Sequence, residues 1–240
     1  MKFWTAQCSQ PGARPYNEDR VFCGRTDQGL LALVADGLGG YGGGAEAAQA
    51  AVDSCWRDFQ AAPGTGREAL QQLAQRANEE VRRLQRSGGQ MKSTLVALAA
   101  DQGMWAVVHV GDSRCYHFRD GQLLSRTIDH SVSQMEALAG RITDREIRFH
   151  ADRNKVLRAL GGGEEVRPEV RPAEPLRPGD CFLLCSDGFW EYVWEEEMLA
   201  DLVKSRTPED WLRYMAGRIG KRLNAHSDNF SAVAVFCQGE

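Results

Sequence analysis

The sequence predicts an α+β fold: a four-layer α-β-β-α sandwich of two antiparallel sheets flanked by helix pairs. Three observations lead there. Two apolar runs, Leu30-Leu31-Ala32-Leu33-Val34-Ala35 and Cys181-Phe182-Leu183-Leu184-Cys185, read as buried strands. Helices with one apolar stripe come in two pairs separated by strands. Short strands joined by tight turns fill the block from 93 to 118, which favours antiparallel pairing.

In chain order, residues 21–36 read as two strands joined by a turn at Thr26-Asp27-Gln28-Gly29. After the Gly-rich segment 37–44 comes a helix with Ala48, Ala51, Val52, Cys55, Trp56 and Phe59 on one face. Pro63-Gly64-Thr65-Gly66 breaks it, and Leu70, Leu73, Ala74, Ala77, Val81 and Leu84 stripe a second helix, so the two are expected to pack antiparallel. Ser87-Gly88-Gly89 ends the pair. Strands near 93–100, 104–110 and 114–118 then form a β-meander, with a hairpin turn at Asp120-Gly121. Residues 131–150 are polar and read as two short helices, the second opening with the capping pattern Thr143-x-x-Glu146, which predicts a surface excursion. A Pro-rich stretch, 168–178, leads to the second apolar run. Residues 195–203 are helical, Thr207-Pro208-Glu209-Asp210 starts another helix, and a last strand covers about 230–237.

The 240 residues carry a net charge of -4, 42% apolar and 26% charged side chains, an ordinary globular composition that argues against nucleic acid as partner. With no internal linker, repeat or low-complexity tail, residues 1–240 are expected to form a single domain. There is no signal-peptide core and no membrane-length apolar run, so no membrane partner is expected. The seven cysteines (Cys8, Cys23, Cys55, Cys115, Cys181, Cys185 and Cys237) are odd in number and irregularly spaced, which reads as reduced thiols of a cytoplasmic protein. Cys181 and Cys185 share one strand face as packing; half of a zinc site is the alternative, but no second Cys/His pair completes it.

Both apolar runs end in Asp-Gly, at Asp36-Gly37 and, one serine later, Asp187-Gly188. A carboxylate at the end of a buried strand is costly to desolvate and needs a partner. No Arg or Lys stands beside either, so the partner expected is a cation. Asp112 and Asp228 also fall at strand ends, and Glu18-Asp19 precede the first strand of the pair. Oxygen donors without interleaved histidines suit magnesium or manganese, and Gly37 offers a carbonyl with no side chain in the way. The plainer reading is that strand-end aspartates cap turns; four of them, two in one repeated frame, favour the cation.

The residues also match a family in order. Arg14-Pro15-Tyr16-Asn17-Glu18-Asp19, Val34-Ala35-Asp36-Gly37-Leu38-Gly39-Gly40, Ser93-Thr94 and His109-Val110-Gly111-Asp112-Ser113-Arg114 come first. Asp129-His130-Ser131, Leu157-Arg158-Ala159-Leu160-Gly161, Ser186-Asp187-Gly188 and Ser227-Asp228-Asn229 follow. The set resembles the PPM family, the metal-dependent Ser/Thr protein phosphatases of type 2C, in its short bacterial form. The resemblance implies hydrolysis of phosphoserine and phosphothreonine in proteins by a metal-bridged hydroxide, opposing a cognate Ser/Thr kinase. It implies two Mn2+ or Mg2+ ions and a weaker third. Asp36 would bridge the two ions with the Gly37 carbonyl on one, and Asp187 and Asp228 would complete the other. Glu18 and Asp19 would hold metal-bound waters, Asp112 would join Asp187 at the third ion, and Arg14 would grip the substrate phosphate. A monomer is expected.

Two positions depart from the family pattern. Tyr41 stands where bacterial relatives often carry His, and Lys92 where they carry a small residue before the Ser/Thr-Thr pair. The proton donor to the leaving group is therefore open among a metal-bound water, His130 and His150. His109 reads as structural, while His117 and His226 carry no clear signal. Two rival functions remain: a catalytically dead phosphoprotein-binding module of the same fold, and a cysteine-based phosphatase using Cys8-x5-Arg14. The flap at 131–150 is expected to help choose the phosphoprotein. Swapping it should change turnover of a phosphoprotein more than that of an aryl phosphate; equal losses on both would count against that role.

Overall fold

Burial with a period of two along strands sorts the apolar side chains into layers. The computed structural model describes residues 1–39, 43–86 and 89–239. Tyr41, Gly42 and the Ser87-Gly88 end of the helix pair fall outside the described residues. One sheet has the order β1 (Lys2–Gln10), β12 (Phe230–Gln238), β11 (Cys181–Cys185), β8 (Arg114–Arg119), β9 (Gln122–Arg126). The other has the order β10 (Glu169–Pro175), β7 (Met104–Val110), β6 (Leu95–Asp101), β3 (Gly29–Ala35), β2 (Arg20–Arg25). Every pairing within them is antiparallel. A short ladder joins β4 (Gly37–Leu38) to β5 (Lys92–Ser93).

Each uninterrupted apolar run serves two cores. On β3, Leu30, Ala32 and Val34 face the other sheet, while Leu31, Leu33 and Ala35 face α1 (Gly43–Ala61) and α2 (Arg67–Gln85). On β11, Phe182 and Leu184 point between the sheets. Leu183 and Cys185 point toward α5 (Glu195–Lys204) and α6 (Pro208–Arg222). Cys181 and Cys185 share that second face, and all seven cysteines are free thiols. At the start of α6, the Thr207 side chain accepts from the Asp210 N–H, with Pro208 in the first turn. No described helix is long and apolar enough to cross a membrane.

The fold departs from the sequence expectation in four places. The block 93–126 is two hairpins and not one meander: β6–β7 belong to one sheet and β8–β9 to the other. The chain crosses between sheets at Gly111-Asp112-Ser113, and this crossing sets Asp112 at the sandwich end. β1 is a nine-residue edge strand held by register with β12 from Lys2↔Gln238 to Gln10↔Phe230. Its polar composition hides it, because only one face packs. β10 lies inside the Pro-rich stretch; its prolines confine it to the sheet edge, with a register shift between Arg171 and Glu174. In the flap, α3 (Val132–Leu138) is helical, but the second element is one 3-10 turn at Glu146–Phe149. There the Glu146 carboxylate accepts from the Thr143 N–H at 2.7 Å and hydroxyl at 2.8 Å, so the hydroxyl donates rather than capping the backbone.

One buried ion pair ties the flap side of the molecule to β8. Arg114 donates to both oxygens of Asp129, at 2.8 and 2.7 Å, and lies 3.5 Å over the Trp190 ring. Both partners are essentially excluded from water. Arg114→Met strands the Asp129 charge and should cost about 3–5 kcal/mol in urea unfolding. The double variant Arg114→Met/Asp129→Leu should recover part of that loss; no recovery would mean that packing on Trp190, and not charge, sets the cost.

Candidate metal centre

Four chain segments end at one rim of the sandwich and deliver a carboxylate each. Asp36 follows β3, Asp112 sits at the inter-sheet crossing, Asp187 opens the short helix α4 (Asp187–Trp190) after β11, and Asp228 precedes β12. These four, with Arg14, Glu18 and Gly37, line one cleft of about 360 Å3. Asp19 does not line it but lies buried behind, where its charge bears on Asp36. The structure thus brings all eight candidate residues to one place.

The backbone around these acids is clamped by neighbouring side chains and amides. The Asp36 N–H donates to the Thr94 hydroxyl at 3.0 Å, and the Asp36 carbonyl accepts from the Thr94 N–H at 2.8 Å and the Ser93 hydroxyl at 3.1 Å. That accounts for the Ser93-Thr94 pair. Lys92, beside it, is exposed and pairs with Leu38 in the β4–β5 ladder. The Asp112 carbonyl accepts from the Trp190 indole at 3.0 Å. Asn229 accepts the Glu18 N–H at 2.8 Å and donates to the carbonyls of Pro11 and Tyr16, both at 2.9 Å.

The two Asp-Gly glycines serve close approach, not a left-handed turn, since neither has positive φ. A Cβ on Gly37 would lie 2.1 Å from the Gly44 carbonyl oxygen, and one on Gly188 2.0 Å from that of Asn229. Gly44, in the first turn of α1, donates its N–H to Glu18 at 3.2 Å, so that helix end faces a carboxylate.

The electrostatics are those of crowded acids. Burial first, then Asp187, Asp19, Asp112 and Asp228, hold Asp36 well above the usual carboxylate range. Asp187 is raised likewise by burial, then by Asp112, Glu191, Asp228 and Asp19. Burial pushes Asp112 up to about 7 and Asp19 up to about 6. Asp19 Oδ1 and Asp112 Oδ1 are buried without a hydrogen-bond partner. Orphaned hard oxygens and mutual repulsion fit a divalent cation of the magnesium or manganese type. One cation is already at hand: Arg14, half exposed, donates to Asp228 at 2.8 Å.

Among the described residues, the only trio of ligand atoms within 4.8 Å of one another is elsewhere, at His109, His130 and Glu169. The acid cluster is more open, as suits ions that keep several waters. The histidine trio is poorly suited to a cation. The His109 and His130 rings are stacked within 10° of parallel, His130 Nδ1 accepts the Gly111 N–H at 3.1 Å, and Arg158 stands 3.2 Å from Nε2. Burial also pushes His130 down to about 3. Neither His130 nor His150 lines the cleft, so neither is placed to protonate a leaving group there. Sequence reasoning missed Asn229 as the support of Glu18, and Asn154 and Val156 as the flap-side wall, just beyond the 131–150 bounds. Asn229 was legible as part of Ser227-Asp228-Asn229; Asn154 and Val156 carried no signal.

Comparison with known proteins places this chain in a family. A family profile described as "Protein phosphatase 2C" matches residues 12–226. The serine/threonine protein phosphatase PstP of Mycobacterium tuberculosis is 36% identical over 203 residues, covering 83% of this chain and 38% of that protein. The chain therefore spans about two fifths of the length of that relative. The serine/threonine phosphatase stp of Listeria monocytogenes is 34% identical, covering 81% of this chain and 80% of its own. The solved catalytic domain of PstP in complex with two manganese ions superposes with a TM-score of 0.84 at 28% identity, covering 99% of each chain. With the profile spanning most of its length, the chain belongs to the protein phosphatase 2C family.

Proposed function

We propose that this protein hydrolyses phosphoserine and phosphothreonine in proteins with the help of divalent cations, Mn2+ or Mg2+. The observation that carries the reading is the convergence of Asp36, Asp112, Asp187, Asp228, Glu18 and Arg14 on one cleft. The serine/threonine phosphatase names of the relatives and the two manganese ions of the solved PstP domain support it. A cytoplasmic monomer acting against a cognate Ser/Thr kinase is the setting that the resemblance implies.

Asp36, the Gly37 carbonyl, Asp187 and Asp228 are the groups that would hold two cations, with Asp112 and Asp187 available to a third. Cations held there would neutralise phosphoryl charge and activate water as a nucleophile at neutral pH. Asp19 accepts from the Ser186 hydroxyl at 2.7 Å through one oxygen, which leaves the other to orient solvent. Arg14, once Asp228 served a cation, would present a planar fork to two phosphate oxygens. Pro15, Tyr16, Leu38 and Val156 give the cleft apolar walls beside the charge, suited to the chain of a protein substrate.

The rival chemistries are less well supported. Cys8 lies mid-strand in β1, opposite Ala232, packed toward the core under α6; burial pushes its thiol up to about 11, and it does not line the cleft. A low-pKa thiolate in a phosphate loop needs the opposite environment. A dead binding module has no need of the full acid set.

Phosphopeptide turnover should require added manganese, vanish with chelator and persist in Cys8→Ser. Asp36→Asn should lower turnover by more than about a hundredfold, beyond the loss typical of outer-shell partners, with circular dichroism unchanged. Arg14→Ala should raise KM about tenfold, the loss of one charge-assisted phosphate contact, and spare manganese affinity; an unchanged KM would remove Arg14 from substrate binding. Because Asp112 and Asp19 hold protons near neutral pH without metal, manganese binding should release protons. Affinity should then fall as pH drops from 8 to 6, by up to about tenfold per unit for each proton displaced. Calorimetry in buffers of different ionisation heat reads this directly, and buffer-independent heats would mean the acids are already ionised.

A further inference from the structure

A second cavity, of about 220 Å3, opens between the sheet edges where β7 and β10 face β8 and β9. It shares no lining residue with the catalytic cleft. Two buried polar atoms without a partner belong to its walls: Trp105 Nε1 and His117 Nδ1. Both residues are almost completely buried, at 1% and 3% exposure. Their rings meet edge to face at 4.7 Å. The indole is a donor only. His117 Nε2 is engaged with the buried Asp180 carboxylate at 2.7 Å; with the ring proton there, Nδ1 is left as an acceptor. An indole donor and an imidazole acceptor without partners thus belong to neighbouring rings in the wall of a cavity that is apolar at Val107, Cys115, Val170 and Pro172 and polar at Ser125, Thr127, Glu169 and Arg171.

A hydroxyl satisfies both atoms at once, accepting from Trp105 and donating to His117. We propose that this cavity binds a small neutral molecule with a compact apolar body and one hydroxyl group. Its size suits a single ring better than a drug-sized ligand, for which pockets of roughly 300–1,000 Å3 are usual. Arg171 forms the outer bar. Its guanidinium lies 4.8 Å over the Trp105 ring and bonds Ser125 on β9 and Glu174 on its own strand, so it spans the gap between the sheets. The inner end reaches the metal centre through packed groups. His109, a wall residue, stacks at 4.7 Å on His130. His130 accepts the Gly111 N–H at 3.1 Å and donates its own N–H to the Gly111 carbonyl at 2.9 Å, one residue before Asp112.

Benzyl alcohol and toluene, matched in body and differing in the hydroxyl, are the probes. In a 15N spectrum of the whole chain, benzyl alcohol should shift the Trp105 indole resonance saturably, and toluene should bind at least about tenfold more weakly, the discrimination expected when a buried polar pair is left unmet. Trp105→Phe identifies that resonance by its disappearance and should bring benzyl alcohol binding, followed at Gly111, down to the toluene level. If that variant does not fold, Cys115→Met, which fills the space while keeping both polar atoms, should abolish the shift. Equal weak responses to both probes, or no saturable response, would mean that ordered water alone meets the two atoms and would overturn the site. Cation binding and phosphatase activity do not enter this readout, so its failure is separable from failure of the catalytic reading.

Discussion

Like charges forced together at the end of the sandwich govern this molecule. Asp112 is buried and Asp36 and Asp187 are half-buried beside it; Asp187 and Asp112 raise the proton affinity of Asp36, and Asp112 raises that of Asp187. Such an arrangement is unfavourable by itself. A divalent cation of the proposed kind would convert the repulsion into attraction. The same crowding would then be the source of metal affinity.

What holds the acids in place is mostly backbone. Ser93 and Thr94 secure both sides of the Asp36 peptide, Asn229 ties the 11–18 loop to the start of β12, and Trp190 holds the carbonyl of Asp112. Thr94 also meets Ser113 at 2.7 Å, so the Asp36 and Asp112 supports are one network. Rigid supports are the condition for a preorganised site. Glycines at 37 and 188 let these segments approach to distances that any side chain would forbid.

The two sheets contribute unequally. β11 and β12 bring Asp187 and Asp228 from one, β3 brings Asp36 from the other, and the crossing between β7 and β8 brings Asp112 from the seam. Cleft geometry therefore depends on how the sheets sit on each other, through an interface of Leu30, Val34, Leu98, Phe182, Leu184 and Val233 among others. The flap presents exposed apolar side chains at Met135, Leu138 and Phe149 while Ile147 anchors it in the core beside α5 and α6.

The sequence by itself determined the paired buried strands, the two helix pairs and the identity of the acids, because those features are local: a periodicity, a cap, an Asp-Gly at the end of an apolar run. It also carried the order of motifs that resembles the family. Strand β1 escaped because its pairing with β12 joins the two ends of the chain and its own composition is polar. The split of the supposed meander escaped because a hairpin reads alike whichever sheet receives it. Only the tertiary structure decided that Asp19 lies behind the cleft while Glu18 lines it, that His130 secures Gly111 rather than serving as an acid, and that Asn154 and Val156 form a wall. These are contacts between residues far apart in the chain, and what a side chain touches across such a distance is set by how the sheets and loops pack.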